Sequence, residues 1–254
     1  MKRNFRIVSL VPSQTELLID LGLEKHLIGI TKFCIHPKGL RKKKTTVGGT
    51  KNINIDKIKA LNPTIILCNK EENSKEIVTA CLKVSKTHVS EIYTLQDSLD
   101  LIKEYGNLFS CEEKANKIIK KIKTDKINFD HFIKNKPTLK VTYFIWKSPW
   151  MVAANNTFIN HLLSINKFEN AYQHLERYPE IDIEKLADKN SDLVFLSSEP
   201  YPFHEKHLLL LKKKLPNTKI LLVDGEFFSW YGSRLLNVFD YFKKLRKSID
   251  NFSI

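Results

Sequence analysis

Ile55-Asp56-Lys57-Ile58-Lys59-Ala60-Leu61-Asn62-Pro63-Thr64-Ile65-Ile66-Leu67-Cys68-Asn69-Lys70-Glu71 occurs a second time, 128 positions later, as Ile183-Glu184-Lys185-Leu186-Ala187-Asp188-Lys189-Asn190-Ser191-Asp192-Leu193-Val194-Phe195-Leu196-Ser197-Ser198-Glu199. Ile, Lys, Asn and the closing Glu recur in register, and no gap is needed. Each copy reads as a short helix, an Asn that stops it, an apolar run suited to a buried parallel strand, and a loop leaving the strand's carboxyl end. The period is about the length of one small domain. The pattern predicts two related α/β lobes, with Glu71 and Glu199 on opposite walls of one cleft.

Outward from the first copy, a strand is expected over 6–10, a turn at Pro12-Ser13, and a helix from Thr15 to about Leu21. Thr15 is the expected cap and Gly22 the stop. Leu27-Ile28-Gly29-Ile30 leads into Phe33-Cys34-Ile35-His36-Pro37, and Pro37 ends that run. A helix over about 74–83, a strand near 88–92 and a helix over about 95–109 close the first lobe. From 112 to about 133 there is no glycine or proline, and Ala115, Ile118, Ile119 and Ile122 fall at spacings of three and four. A helix of that length, roughly 30 Å at 1.5 Å per residue, makes a stiff connector.

The second lobe opens with a strand over 139–145, followed by Trp146-Lys147-Ser148-Pro149-Trp150, a helix from Thr157 and the second copy. A helix over about 204–214, a strand over 219–223, the segment from Asp224 to Arg234 and a final helix complete it. The expected division is an N-terminal lobe 1–109, a connecting helix 110–136 and a C-terminal lobe 137–254. Both lobes are Rossmann-like, with mostly parallel sheets.

Composition narrows the function classes. The 254 residues are 42% hydrophobic and 28% charged, ordinary for a chain that buries a sizeable core. The net charge of +14 comes from lysines spread over the expected helices, not gathered in one stripe, so nucleic acid is not the expected partner. The exception is the basic loop Lys38-Gly39-Leu40-Arg41-Lys42-Lys43-Lys44. Cys34, Cys68, Cys81 and Cys111 have no CxxC spacing, so no disulfide framework or zinc knuckle is indicated. After Met1-Lys2-Arg3-Asn4 the apolar run reaches Pro12 quickly, with no small-residue cleavage site, and reads as a first strand. No apolar stretch approaches the ~20 residues of a membrane span. The expectation is a cytoplasmic protein, periplasmic or lipid-anchored only if the native N-terminus differs.

In open α/β sheets, ligands bind outside the carboxyl ends of the strands. The unusual segments sit there: Ser13-Gln14, Cys34-Ile35-His36 and Glu71-Glu72-Asn73 in the first lobe; Trp146 to Trp150, Glu199 to Phe203 and Glu226 to Tyr231 in the second. Trp146, Trp150, Tyr201, Phe203, Phe227, Phe228, Trp230 and Tyr231 all fall in expected loops. Such aromatic lining suits a large, flat, partly apolar ligand such as a macrocycle. Cys34 and His36 are two apart, so on an extended segment both side chains leave one face. They suit a transition metal, with Glu71, Glu199 or Glu226 completing the shell. They equally suit a partly buried thiol and a histidine bonded to a loop carbonyl. Glu71, Glu72, Asn73 and Glu199 read either as helix caps or as acceptors for amides on a ligand's rim. There is no nucleophile elbow, phosphate-cradling loop or HExxH helix. An enzyme is therefore not expected; the alternative is a metal-dependent enzyme or metallochaperone using Cys34, His36 and the cleft carboxylates.

Arg6-Ile7-Val8-Ser9-Leu10-Val11-Pro12-Ser13-Gln14-Thr15-Glu16, with Val47-Gly48-Gly49 and the run from Ile55 to Leu67, resembles the opening of the helical-backbone substrate-binding proteins of ABC importers. That family includes receptors for cobalamin, haem and ferric siderophores. The resemblance implies two α/β lobes joined by one long rigid helix, and a metal chelate as ligand. It implies ligand contacts at Ser13, Glu71, Glu72, Asn73, Trp146, Trp150, Glu199, Tyr201, Phe203, Glu226, Phe227, Trp230 and Tyr231. One acidic residue per lobe would face an ABC permease if the protein is exported, with Glu76 and Glu205 as the matching positions.

Overall fold

The computed structural model describes residues 5–251; the basic start Met1-Lys2-Arg3-Asn4 lies outside them. Of the described residues, 5–92, 96–122 and 231–236 form one compact unit, and 93–95, 123–230 and 237–251 form the other.

In the first unit, β1 (Ile7–Ser9), β2 (Leu27–Ile30), β3 (Thr45–Thr46), β4 (Ile65–Asn69) and β5 (Thr87–Ser90) form a parallel sheet in the order β3-β2-β1-β4-β5. The order reverses between β1 and β4, which is where such sheets open a crevice at their carboxyl edge. Around the sheet run α1 (Pro12–Asp20), α2 (Leu40–Lys43), α3 (Ile55–Ala60), α4 (Lys75–Leu82) and α5 (Leu95–Leu108), followed by α6 (Glu112–Ile133). The unbroken α6 has the expected bounds and carries the chain from one unit into the other at Ile122 and Lys123.

The second unit holds β6 (Leu139–Trp146), β7 (Met151–Val152), β8 (Phe168–Asn170), β9 (Leu193–Ser197) and β10 (Lys219–Val223), in the order β10-β9-β6-β7 with β8 also beside β6. Only β7 runs antiparallel to its neighbour. Its helices are α7 (Phe158–Ile165), α8 (Glu205–Lys214), α9 (Glu226–Ser229) and α10 (Leu235–Asp250), the last beginning in the first unit.

The repeated apolar runs are β4 and β9, in register at the predicted offset and buried at every residue. In the first unit Ile66 and Cys68 pack with Val8, Leu10, Ile58, Ile77 and Cys81. In the second, Val194 and Leu196 pack with Phe144, Leu186, Leu211 and Ile220. Full burial of each such side chain is worth about 1.5–3 kcal/mol.

Three details depart from the sequence expectation. First, α1 starts at Pro12, not at Thr15, because proline's fixed φ suits the first helical turn and no donor is lost there. Thr15 lies buried inside the helix and donates its hydroxyl back to the Val11 carbonyl at 3.0 Å. Second, residues 31–37 form turn and loop, not strand. Third, the second copy's helical part is two single 3-10 turns, Ile183–Lys185 and Ala187–Lys189. There the Asp182 carboxylate accepts from the Glu184 amide, two residues on at 3.0 Å, whereas the Asn54 side chain accepts from the Lys57 amide, three residues on at 2.8 Å, as in a helix cap.

The predicted stops hold in both copies: Asn62 and Asn190 adopt left-handed backbone, with φ 46° and 47°. A β-carbon is strained there, and Asn tolerates it best among non-glycine residues. Asn190→Ala is expected to destabilise the protein by about 1 kcal/mol and Asn190→Gly to leave stability nearly unchanged. Urea unfolding of the two variants measures the difference.

Candidate functional site

At the carboxyl end of the first sheet, β1 runs directly into α1, which places Ser13 and Gln14 in the helix's first turn, both buried. β4 ends on Asn69, whose side-chain oxygen accepts from the Glu71 and Glu72 amides at 2.8 and 3.3 Å. Asn73 closes the turn: its oxygen accepts from the Asn69 amide and its nitrogen donates to the Thr50 carbonyl, both at 3.0 Å. The Lys51 ammonium donates to the Glu71 carbonyl. Burial pushes the Glu72 carboxyl above the usual carboxylate range, opposed by Lys51 and the Thr50 hydroxyl. Glu71, Glu72 and Asn73 therefore form one braced loop.

Residues 33–36 are arranged differently from the extended reading. Cys34 points inward, 1% exposed, its thiol 3.1 Å from the Thr15 hydroxyl and 3.3 Å from that of Thr31. Burial pushes this thiol up, and its two hydroxyl neighbours hold it on the protein's inner side. His36 is only partly exposed, and among the described residues no group of three or more His, Cys, Asp or Glu is placed to hold a metal ion. The pair does not fit a metal centre. With Cys34 as the anchor, Phe33 and Ile35 face outward at 49% and 44% exposure. The Lys32 ammonium lies 5.1 Å from the centre of the Phe33 ring. Sequence reasoning missed both, because an apolar residue beside a strand reads as core.

In the second unit, the end of β6 and the loops after β6 and β9 gather four of the expected aromatics. Trp146, 38% exposed, meets Tyr201 edge to face at 5.5 Å; Tyr201 packs on Phe203 at 4.8 Å, and Phe203 stacks on Trp150 at 6.0 Å. Lys147 sits 5.8 Å over the Trp150 ring. Beneath them His207 accepts from the His204 amide through Nδ1 at 2.9 Å, which leaves its Nε2 proton for the Tyr201 hydroxyl at 3.2 Å. Burial, with Lys147 and Lys206 nearby, lowers the His207 pKa and favours this neutral form.

Glu199 leaves β9 and accepts from the Ser229 hydroxyl at 2.5 Å. Gly225 packs so closely on this turn that a β-carbon there would collide with Ser197 and Glu199. Glu226 starts α9, and Phe227 stacks on Tyr241 at 4.5 Å. Phe203, Trp230 and Tyr231 are buried at 4%, 7% and 5% exposure, so packing occupies these rings. Tyr231 belongs to the first unit, not the second, and bonds Gln14 there. Glu76 and Glu205 are exposed in the first turns of α4 and α8.

This architecture, parallel α/β sheets with the chemistry in their carboxyl-end loops and one long helix linking the units, is that of a ligand-binding protein of the two-unit α/β class. The model of the periplasmic binding protein family matches residues 7–215, and the chain belongs to that family. An uncharacterised ABC transporter substrate-binding lipoprotein of Bacillus subtilis is 26% identical over 199 residues, covering 74% of this chain and 62% of the relative. The chain thus spans less than two thirds of that relative's length. A vitamin B12-binding protein of Vibrio vulnificus is 24% identical over 194 residues, covering 76% of this chain and 71% of its own. The crystal structure of a periplasmic haem-binding protein from Pseudomonas aeruginosa shares the fold, with a TM-score of 0.83, 21% identity and coverage of 94% and 91%. These findings correct the expectation of a cytoplasmic protein: the family is periplasmic, and the relatives include a lipoprotein.

The raised carboxyl of Glu72 has a pH consequence. A group whose folded pKa lies above its unfolded one favours the fold most when protonated, and that contribution is lost as pH rises through the folded pKa. Glu72→Gln is expected to be more stable than the parent at pH 7, with the gap closing as pH falls through the raised folded pKa and gone by the ordinary glutamate pKa of about 4.3. Urea unfolding across that pH range measures it.

Proposed function

We propose that the protein is a substrate-binding receptor for a metal chelate of the cobalamin, haem or ferric-siderophore class, which it passes to an ABC permease. One observation carries the reading: large apolar side chains stand partly exposed at strand ends, Phe33 and Ile35 in the loop after β2 and Trp146 at the close of β6. Full burial of such a side chain is worth about 1.5–3 kcal/mol, and a flat, partly apolar ligand recovers the part these leave in water. The braced acids Glu71, Glu72 and Glu199 supply acceptors for polar groups at the ligand's rim. Trp150, Tyr201, Glu226 and Phe227 complete the contacts on the second unit. Phe203, Trp230 and Tyr231 act through packing. The names of the relatives, a vitamin B12-binding protein and a haem-binding protein, favour the same ligand class.

The test is a titration with cyanocobalamin and with haemin, followed by tryptophan fluorescence and visible absorbance. Phe33→Ala and Trp146→Ala are each expected to weaken binding of the chelate that binds by at least ~1 kcal/mol with unchanged melting temperature. An unchanged titration removes that residue from the site. Trp230→Ala, by contrast, is expected to cost about 3–5 kcal/mol of stability, as deletion of a buried aromatic does. Glu76 and Glu205 are the proposed permease contacts. Glu76→Ala and Glu205→Ala are expected to reduce transport in reconstituted vesicles while leaving chelate affinity unchanged.

A further inference from the structure

In the first unit, one buried polar network can be assigned atom by atom. Tyr105, fully buried, donates its hydroxyl to Gln14 Oε1 at 2.7 Å, which fixes the amide's orientation. Gln14 Nε2 then donates to Ser90 Oγ at 2.6 Å and to the Tyr231 hydroxyl at 2.9 Å. An amide has two such protons, so both are committed. Ser90 Oγ also accepts from Asn69 Nδ2 at 3.0 Å, so its single proton goes to the Cys68 carbonyl at 3.3 Å. Asn69 is the residue whose oxygen holds the Glu71 and Glu72 amides. The path therefore runs from Tyr231, through Gln14, Ser90 and Asn69, to the acid-bearing loop, and all four residues are at most 5% exposed. At such depth an unmatched donor or acceptor is costly, so the members move together or not at all.

The second unit repeats the device in shorter form. Ser197 occupies the position of Asn69 in the repeat. Its hydroxyl accepts from the fully buried Tyr143 at 3.1 Å and donates to the Glu199 carbonyl at 2.6 Å. In both units the residue that ends the repeated strand is tied to a buried tyrosine network on one side and to an acidic loop on the other.

We infer that Gln14 and Tyr231 are positioning residues for ligand binding: acting through Ser90 and Asn69, they set the direction in which Glu71 and Glu72 meet the ligand. This rests on the reading of Glu71 and Glu72 as ligand contacts. Tyr231, which as a sequence looked like a ligand-facing ring, serves the site from behind.

The experiment compares wild type with Tyr231→Phe and Gln14→Leu by NMR amide exchange and by haemin and cyanocobalamin titration. In both variants the Glu71 and Glu72 amides are expected to exchange at least about tenfold faster, the scale of one lost buried hydrogen bond, while β9 amides keep their rates. Affinity for the chelate that binds falls by a similar factor, with the circular dichroism spectrum unchanged. Unchanged exchange at Glu71 and Glu72 in folded Tyr231→Phe overturns the inference, as does faster exchange with unaltered affinity. If Gln14→Leu does not fold, Tyr231→Phe decides. Wild-type protein that binds neither chelate counts against the proposed ligand class, and the exchange rates still test the network.

Discussion

A parallel strand buried on both faces has no place for an unmatched polar side chain, and this constraint organises the molecule. β4 and β9 are buried throughout, so each spends its length on packing and brings its polar chemistry to one end. There Asn69 and Ser197 turn the chain and bond the loops that follow, Glu71 and Glu72 in one unit and Glu199 in the other. The proposed acidic contacts depend on those turns, because a loop leaving a rigid strand is both exposed and held in place.

The repeat also shows where symmetry stops. Both copies end in a left-handed Asn, a buried strand and an acid, yet the loops beyond them differ. In the first unit the Glu71 and Glu72 amides donate to the Asn69 side chain, itself braced by Asn73, while Glu199 is followed by Tyr201 and Phe203, whose rings join Trp146 and Trp150 in one cluster. The first unit is not wholly polar, since Phe33 and Ile35 are exposed in the loop that follows β2 of the same sheet.

Much of the fold was legible because it rests on local pattern. Glycine-free spacing placed α6 to the residue, and the apolar runs placed β4, β9 and β10 within a residue or two. The start of α1 was missed because the hydroxyl of Thr15 looked like a cap, while Pro12 had already set the backbone three residues earlier. The site was less legible. Alternation in Phe33-Cys34-Ile35-His36 shows that neighbours face opposite ways but not which face is inside. The two threonine hydroxyls that receive Cys34 come from Thr15 and Thr31, of which Thr15 is remote in sequence. The hydrogen bond of Tyr231 to Gln14 is illegible in the sequence for a similar reason: the two are 217 residues apart, a distance that no local pattern spans.

The proposed chelate contacts lie in strand-end loops, where binding leaves a local trace. Hydrogen–deuterium exchange with and without saturating haemin or cyanocobalamin tests them most directly, because it locates the ligand as well as detecting it. The account predicts that one of these chelates slows exchange in residues 32–36, 70–73 and 146–150, while the helix α6 and the central strands are unaffected. Binding that leaves those three segments unprotected, or protects only surfaces away from the strand ends, would contradict it.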